Sequence, residues 1–250
     1  MKISTKDFKR FSKQIVLKKV GIIGQKKILS SRILVVGAGG LGCPLLLYLA
    51  NTGVGNIGIV DYDKVEMSNL NRQILFTSKD VGKYKVTQAL RVIKKINKNI
   101  KVSIFKQKIS EKNISDIISK FDIICDGTDD FKTRYLINDY CLKQKKILIS
   151  AAISKFDGHI FNFNFKKKTP CFRCFMPEIP RAENNCESEG IMSTLAGMAG
   201  TLQANEVINT IINPKNDLTG KMIVFNALTS NFRKIRLSRN SNCIKECTKR

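Results

Sequence analysis

The stretch Arg32-Ile-Leu-Val-Val36, running straight into Gly37-Ala38-Gly39-Gly40-Leu41-Gly42, decides how the chain is read. Its first half is a short apolar strand of the kind buried in a parallel sheet. Its second half is G-x-G-x-x-G, set between that strand and an apolar helix over Cys43 to Thr52 that tolerates Pro44 in its first turn. Glycines at these places permit a tight turn, let a phosphate approach the backbone, and let helix and strand pack closely. The helix N-terminus adds unpaired N–H groups and a positive dipole end for an anion. A second strand, Ile57-Gly-Ile-Val-Asp61, ends in a carboxylate where ribose hydroxyls would be held. A glycine-rich packing turn without a ligand would not explain Asp61. The pattern predicts a nucleotide site and leaves NAD, FAD and ATP open, although the absence of G-x-x-x-x-G-K-[ST] excludes the P-loop route to ATP.

Working outward, strand character returns at 102–105, 122–126 and 146–152, separated by helical stretches near 83–97, 111–120 and 131–143. Strands alternating with helices imply right-handed βαβ units. After residue 155 the rhythm becomes two-residue alternation, at 158–165, 221–226 and 231–237, around a helix near 193–212. Residues 5–20 read as one polar helix with Phe8, Phe11, Ile15 and Val16 at helical spacing. The expected fold is α/β, a Rossmann-like mostly parallel sheet with an antiparallel C-terminal extension. Residues 1–250 are read as one domain, with a nucleotide-binding half over 1–155 and a second half over 156–250.

Composition narrows the chemistry. With 43 % hydrophobic residues in 250, the chain can bury a normal core, which excludes a disordered basic tail. No run of eighteen apolar residues and no apolar N-terminal segment is present, so a cytoplasmic protein with no membrane span is expected. The net charge of +24 comes mainly from 33 Lys against 11 Arg, scattered as doublets such as Lys18-Lys19 and Lys94-Lys95. Arginine is the better bidentate reader of phosphates and bases, so this charge fits compositional drift and steering of an acidic partner better than nucleic-acid binding. The one histidine, His159, sits in an alternating strand pattern and is read as a strand-surface residue, which leaves no His-rich metal site.

Eight cysteines without an export signal point to metal or thiol chemistry, not to a disulfide framework. Cys171-x-x-Cys174 and Cys243-x-x-x-Cys247 could together close a tetrahedral Cys₄ zinc site that staples the C-terminus to the sheet's extension. Cys43, Cys125 and Cys141 fall at core-like positions and read as inert small hydrophobes. Cys186 lies in a polar segment between Asn185 and Glu187, where nearby acids would raise its pKa.

A further set follows Asp61: Tyr62-Asp63, then Ser68-Asn69-Leu-Asn-Arg72-Gln73, then Lys85, then Gly127-Thr-Asp129-Asp130. Hydride transfer does not need these residues. Arg72 and Lys85 could neutralise a triphosphate, and Asp129 could hold Mg²⁺ at the carboxyl end of the sheet. Together with Arg10-Phe-Ser-Lys13-Gln14, the glycine loop and Cys171-Phe-Arg-Cys174, the set resembles the ThiF/MoeB/HesA family, the bacterial relatives of ubiquitin-activating enzymes, over essentially the whole chain.

The resemblance implies ATP-dependent adenylation of the C-terminal glycine of a ubiquitin-like sulfur-carrier protein ending in Gly-Gly, of the molybdopterin-synthase or thiamine type. It implies that Asp61 holds the ribose, that Ser68, Asn69 and Arg72 contact the nucleotide, that Lys85 stabilises phosphate charge, and that Asp129 coordinates Mg²⁺. It also implies a homodimer in which Lys13 reaches the partner's ATP site, and in some relatives a covalent role for the cysteine at Cys186. With no fused sulfurtransferase expected, sulfur would come from a separate sulfurtransferase or cysteine desulfurase. The chain departs from the family pattern at Lys13, commonly arginine, and at Asp130, often asparagine. Two alternatives are an enzyme that adenylates a carboxylate on a tRNA base and an NAD(P)-dependent oxidoreductase.

Overall fold

The computed structural model describes residues 3–179, 190–213, 218–241 and 243. Strand β1 (Arg32–Val36) is buried at every position after Arg32, so it needs cover on both faces. Its alternate side chains enter different cores. Ile33 and Val35 pack with Leu45 and Leu49 of α3 (Gly42–Thr52), whereas Leu34 and Val36 pack with Ile117, Ile118 and Ile137 on the other face.

Around β1 lie β2 (Asn56–Val60), β3 (Lys101–Phe105), β4 (Ile123–Asp126) and β5 (Ile147–Ser154), and the sheet order β3-β2-β1-β4-β5 is parallel throughout. Helices α4 (Lys85–Ile96), α5 (Ile114–Ser119) and α6 (Phe131–Lys143) make the crossovers. The sheet then continues antiparallel through β6 (Asp157–Asn164), β7 (Lys221–Asn226) and β8 (Asn231–Arg236). The eight strands form one sheet, as the change of rhythm after residue 155 predicts.

Two expectations need correction. Residues 5–20 are not one helix: α1 (Thr5–Ile15) ends, and α2 (Gly21–Ser30) begins at a glycine with φ 55°. Glycines at 21 and 24 lower the intrinsic preference for helix. Tertiary packing restores it, because Gly24 lies against Ile212 of α8 (Ser193–Ile212). His159 is half-buried, not on the surface, with its ring 6.3 Å from that of Phe161. Helix α8 covers one face of β6 and a phenylalanine layer covers the other, so the strand is buried on both sides despite its alternating sequence. Burial pulls the His159 imidazole below its ordinary pKa.

The three core cysteines lie where expected. Cys43, Cys125 and Cys141 are fully buried, and burial pushes the Cys43 thiol up to about 12 and the other two higher than usual. Among the described residues, no helix is long and apolar enough to cross a membrane.

Candidate functional site

Strand order reverses at β1, whose neighbours β2 and β4 are reached by crossovers running in opposite directions. Such a point leaves a crevice at the carboxyl ends of the strands. Register sets Val36 level with Val60 and with Asp126, so Gly37, Asp61 and Gly127 leave the sheet side by side. Gly37 has φ 92°, and a Cβ there would stand 3.1 Å from the Gly127 carbonyl oxygen. At Gly42 a Cβ would run into the carbonyl oxygen of Gly37. The turn is closed this tightly only because both residues are glycine. Helix α3 starts there with Leu41 at its N-cap, no side-chain cap and no acid in its first turn. Its dipole and first N–H groups therefore face the crevice without a built-in anion.

Asp61 is 9 % exposed and organises this turn. Its Oδ2 accepts from the Ala38 amide at 2.7 Å and its Oδ1 from the Asp63 amide at 2.8 Å, leaving each oxygen a further lone pair. Burial pushes its carboxyl above the ordinary range, and those two amides and Lys85 act in the opposite direction. Lys85, at the start of α4, is almost fully buried and donates to Asp63 Oδ2 at 3.0 Å. Arg72 follows a short 3-10 turn over Met67–Asn69 that holds Ser68 and Asn69. Its stem lies 3.4 Å from where a Gly40 Cβ would be, and among the described residues its guanidinium donates only to the Ser68 carbonyl and Asn71 Oδ1. Gln73 is buried next to Gly39, and its Oε1 has no partner among the described residues.

Between β4 and α6 the chain turns through Gly127, Thr128, Asp129 and Asp130. Asp129 is exposed and makes no hydrogen bond or ion pair among the described residues. Asp130 is the N-cap of α6, accepting from the amides of Lys132 and Thr133 at 3.2 and 3.0 Å. Burial opposes its ionisation, yet the bonds from Thr133 and Lys132 hold its carboxyl below the ordinary value. Its departure from asparagine is thus a choice between two good caps, with the charge turned onto the helix. The Tyr62 hydroxyl is pushed up by Asp63 first, then by burial, Asp129, Asp61 and Asp130. Lys108 stands over the Tyr62 ring, 5.6 Å from its centre.

Lys13 is not part of this assembly. It is exposed in the last turn of α1, whose neighbouring Gln14 donates to Thr52 at the far end of α3 from the glycine turn. Cys186 and Cys247 lie outside the described residues.

Cys171, Cys174 and Cys243 come together although 72 residues separate the first and last. Their sulfurs lie within 4.8 Å of one another, with Cys171 3.8 Å from Cys174 and 3.4 Å from Cys243. Thiolates held about 2.3 Å from a tetrahedral zinc stand about 3.8 Å apart, so the three fit such an ion. The Cys171 sulfur, acting against burial, holds the Cys174 thiol well below the usual range. Cys171 opens the short helix α7 (Phe172–Phe175), which is fastened to α6. Phe172 N–H donates to Asn138 at 2.9 Å, Arg173 pairs with both Asp139 oxygens, and Tyr135 donates to the carbonyls of Met176 and Glu178.

A family model described as the ThiF family matches residues 11–245. The chain belongs to the ThiF family. It is 40 % identical over 246 residues to an adenylyltransferase and sulfurtransferase MOCS3 of Culex quinquefasciatus, covering 97 % of this chain and 56 % of that protein. It is 42 % identical over 238 residues to a probable molybdopterin-synthase adenylyltransferase of Porphyra purpurea, covering 94 % of this chain and 62 % of the relative. The chain thus spans little more than half the length of these curated relatives. Among solved structures, E. coli MccB with ATP matches with a TM-score of 0.80 at 24 % identity, over 93 % of this chain and 72 % of MccB. PaaA matches with the same score at 21 % identity, over 95 % and 76 %. These likenesses establish the fold.

Within this ThiF-family fold, one polar group escaped the sequence reading: the buried Asp126, Arg134, Ser150 and Gln203, with the half-buried Thr128 beside them. The only hint was an acid closing an otherwise apolar strand at Asp126. Gln203 of α8 donates to the carbonyls of Asp126 and Ile149, both at 2.9 Å, and so ties β4 and β5 together beneath the crevice.

Proposed function

We propose that this ThiF-family chain binds ATP with Mg²⁺ at the β1–β2–β4 crevice and adenylates the C-terminal glycine carboxylate of a ubiquitin-like sulfur-carrier protein ending in Gly-Gly. The observation that carries the reading is the gathering, at one strand switch point, of a ligand-ready glycine turn, Asp61, Arg72, buried Lys85 and Asp129, whose exposed carboxylate has no partner among the described residues. The relatives' names support adenylyl transfer, and the Porphyra relative's name favours a molybdopterin-synthase carrier over a thiamine-type one.

In this reading the free lone pairs of Asp61 accept the ribose hydroxyls, and the glycine turn lets the phosphates reach the start of α3. Arg72 and Lys85 supply positive charge, with Ser68 and Asn69 beside them and Gln73 beneath. The exposed oxygens of Asp129 suit a hard cation. Bound Mg²⁺ would neutralise phosphate charge and help orient the triphosphate. A carrier carboxylate oxygen forms a bond to the α-phosphorus while the α–β bridging P–O bond breaks, giving acyl-adenylate and pyrophosphate. Positioning and charge neutralisation supply most of the rate for such a displacement.

Lys13 would act from a second copy, since it stands away from its own chain's crevice. The exposed Val16, Leu17, Ile22 and Ile23 of the α1–α2 corner support burial of that region in a homodimer. The cysteine trio, with Cys247 as fourth ligand, would hold a structural zinc. The sulfur donor would be a separate sulfurtransferase or cysteine desulfurase, and a role for Cys186 would belong to that later step.

ATP–pyrophosphate exchange with a purified carrier tests the site. Asp129→Ala should lower it by about 100-fold or more without unfolding the protein. Undiminished exchange in that variant would refute the assignment.

A further inference from the structure

Beneath the Asp126–Asp130 turn lies a buried cation that the adenylation chemistry does not use. Arg134, in the second turn of α6, is 5 % exposed, and Asp126 is completely buried. Burying this pair removes both from water, a cost that apolar residues of the same size would avoid. The geometry shows what the pair holds in return. One guanidinium nitrogen of Arg134 donates to the Thr128 carbonyl at 2.6 Å and to the Ala151 carbonyl at 2.9 Å. A second reaches Ser150 Oγ at 3.3 Å, and Nε lies 3.5 Å from Asp126 Oδ2. Ser150 Oγ in turn donates to Asp126 Oδ2 at 2.6 Å. The other Asp126 oxygen accepts from the Thr128 amide at 3.0 Å and from its hydroxyl at 2.6 Å.

Thr128 is therefore gripped from both ends, its carbonyl by Arg134 and its amide and hydroxyl by Asp126. Residue 129 comes next in the chain, and beyond it the Asp130 cap fixes the start of α6. Among the described residues, Asp129 itself makes no hydrogen bond or ion pair. Its place over the crevice is set by these flanking anchors. Phe172 backs the arrangement, with the Arg134 guanidinium 5.6 Å from its ring centre.

We infer that Arg134 is a positioning residue which, through Asp126, Thr128 and Ser150, aims the carboxylate of Asp129 at the nucleotide-bound divalent cation. The inference rests on the nucleotide reading above. A planar fork reaching two carbonyls and a hydroxyl together is a task lysine cannot perform, because its ammonium has no fixed arrangement of donors.

The test compares the full-length wild type with Arg134→Lys and with the milder Ser150→Ala, which keeps both charges. Mn²⁺ binding in the presence of ATP is read by electron paramagnetic resonance, ATP binding without metal by calorimetry, and folding by thermal melting. The expected result is Mn²⁺ affinity weakened about tenfold in Arg134→Lys and about threefold in Ser150→Ala, with metal-free ATP affinity unchanged. A purely structural role would lower the melting temperature or weaken both affinities together, and that result would overturn the inference, as would unchanged Mn²⁺ affinity in folded Ser150→Ala. Wild-type protein that binds neither ATP nor Mn²⁺–ATP would instead defeat the nucleotide reading itself.

Discussion

The carboxyl edge of the parallel strands and the antiparallel extension build their sites by different means. At the parallel edge, register sets Gly37, Asp61 and Gly127 side by side, and at Gly37 and Gly42 neighbouring backbone leaves little room for a Cβ. In the extension, Cys171 and Cys243 meet from distant points of the chain, and what joins them is side-chain chemistry. The strands differ in the same way: β1 is buried along its length after Arg32, while β8 is exposed at every position. One site is a consequence of the sheet. The other is a clasp laid over it.

The sharpest way to break this contrast is at Gly42. Alanine there would place its Cβ against the Gly37 carbonyl oxygen, which is backbone and cannot swing aside. A loss of about 3 kcal/mol or more is expected by urea unfolding. A loss below about 1 kcal/mol would mean that the turn is not held by backbone contact.

Next in size is the clasp. Cys171→Ser should remove a metal ligand from the trio, lowering bound zinc measured by plasma emission and the melting temperature together. The melting temperature should fall by roughly 5 °C or more, whereas ATP affinity should change less than in Asp129→Ala. Wild-type protein purified without zinc, melting no lower after chelation, would remove the metal from the account.

The smallest effect lies at the amino edge of the same parallel strands. Arg32 donates to both oxygens of Asp122 at 2.9 and 2.7 Å and holds that carboxyl below its ordinary value. A depressed carboxylate stabilises the fold fully above its unfolded pKa of about 3.9, and that contribution disappears as the pH falls through the lower folded value. With both side chains about half exposed, the pair is worth less than about 1 kcal/mol. Asp122→Asn should therefore be slightly less stable at neutral pH and lose less stability on acidification below pH 4. Parallel stability–pH curves would remove the pair's role.

The same contrast explains what was legible in the sequence. Glycine loop, strand-end Asp61 and the change from helix–strand alternation to two-residue rhythm are local patterns, and local patterns carried the fold. The zinc-like trio was legible because short cysteine spacings have few other uses. Helix α2 was missed because its helicity comes from packing on α8, not from its glycine-containing sequence. The Asp126–Ser150–Arg134 group was missed because its members are 16 and 24 residues apart and meet only when β4, β5 and α6 assemble. His159 was misplaced because an alternating strand does not disclose that both of its faces will be covered.

The most direct measurement is ATP–pyrophosphate exchange with three additions: a Gly-Gly-ending sulfur carrier, the same carrier lacking its last glycine, and tRNA. The account predicts Mg²⁺-dependent exchange with the intact carrier and none with the other two. Exchange stimulated by tRNA alone, or binding of NADH in place of ATP, would contradict it.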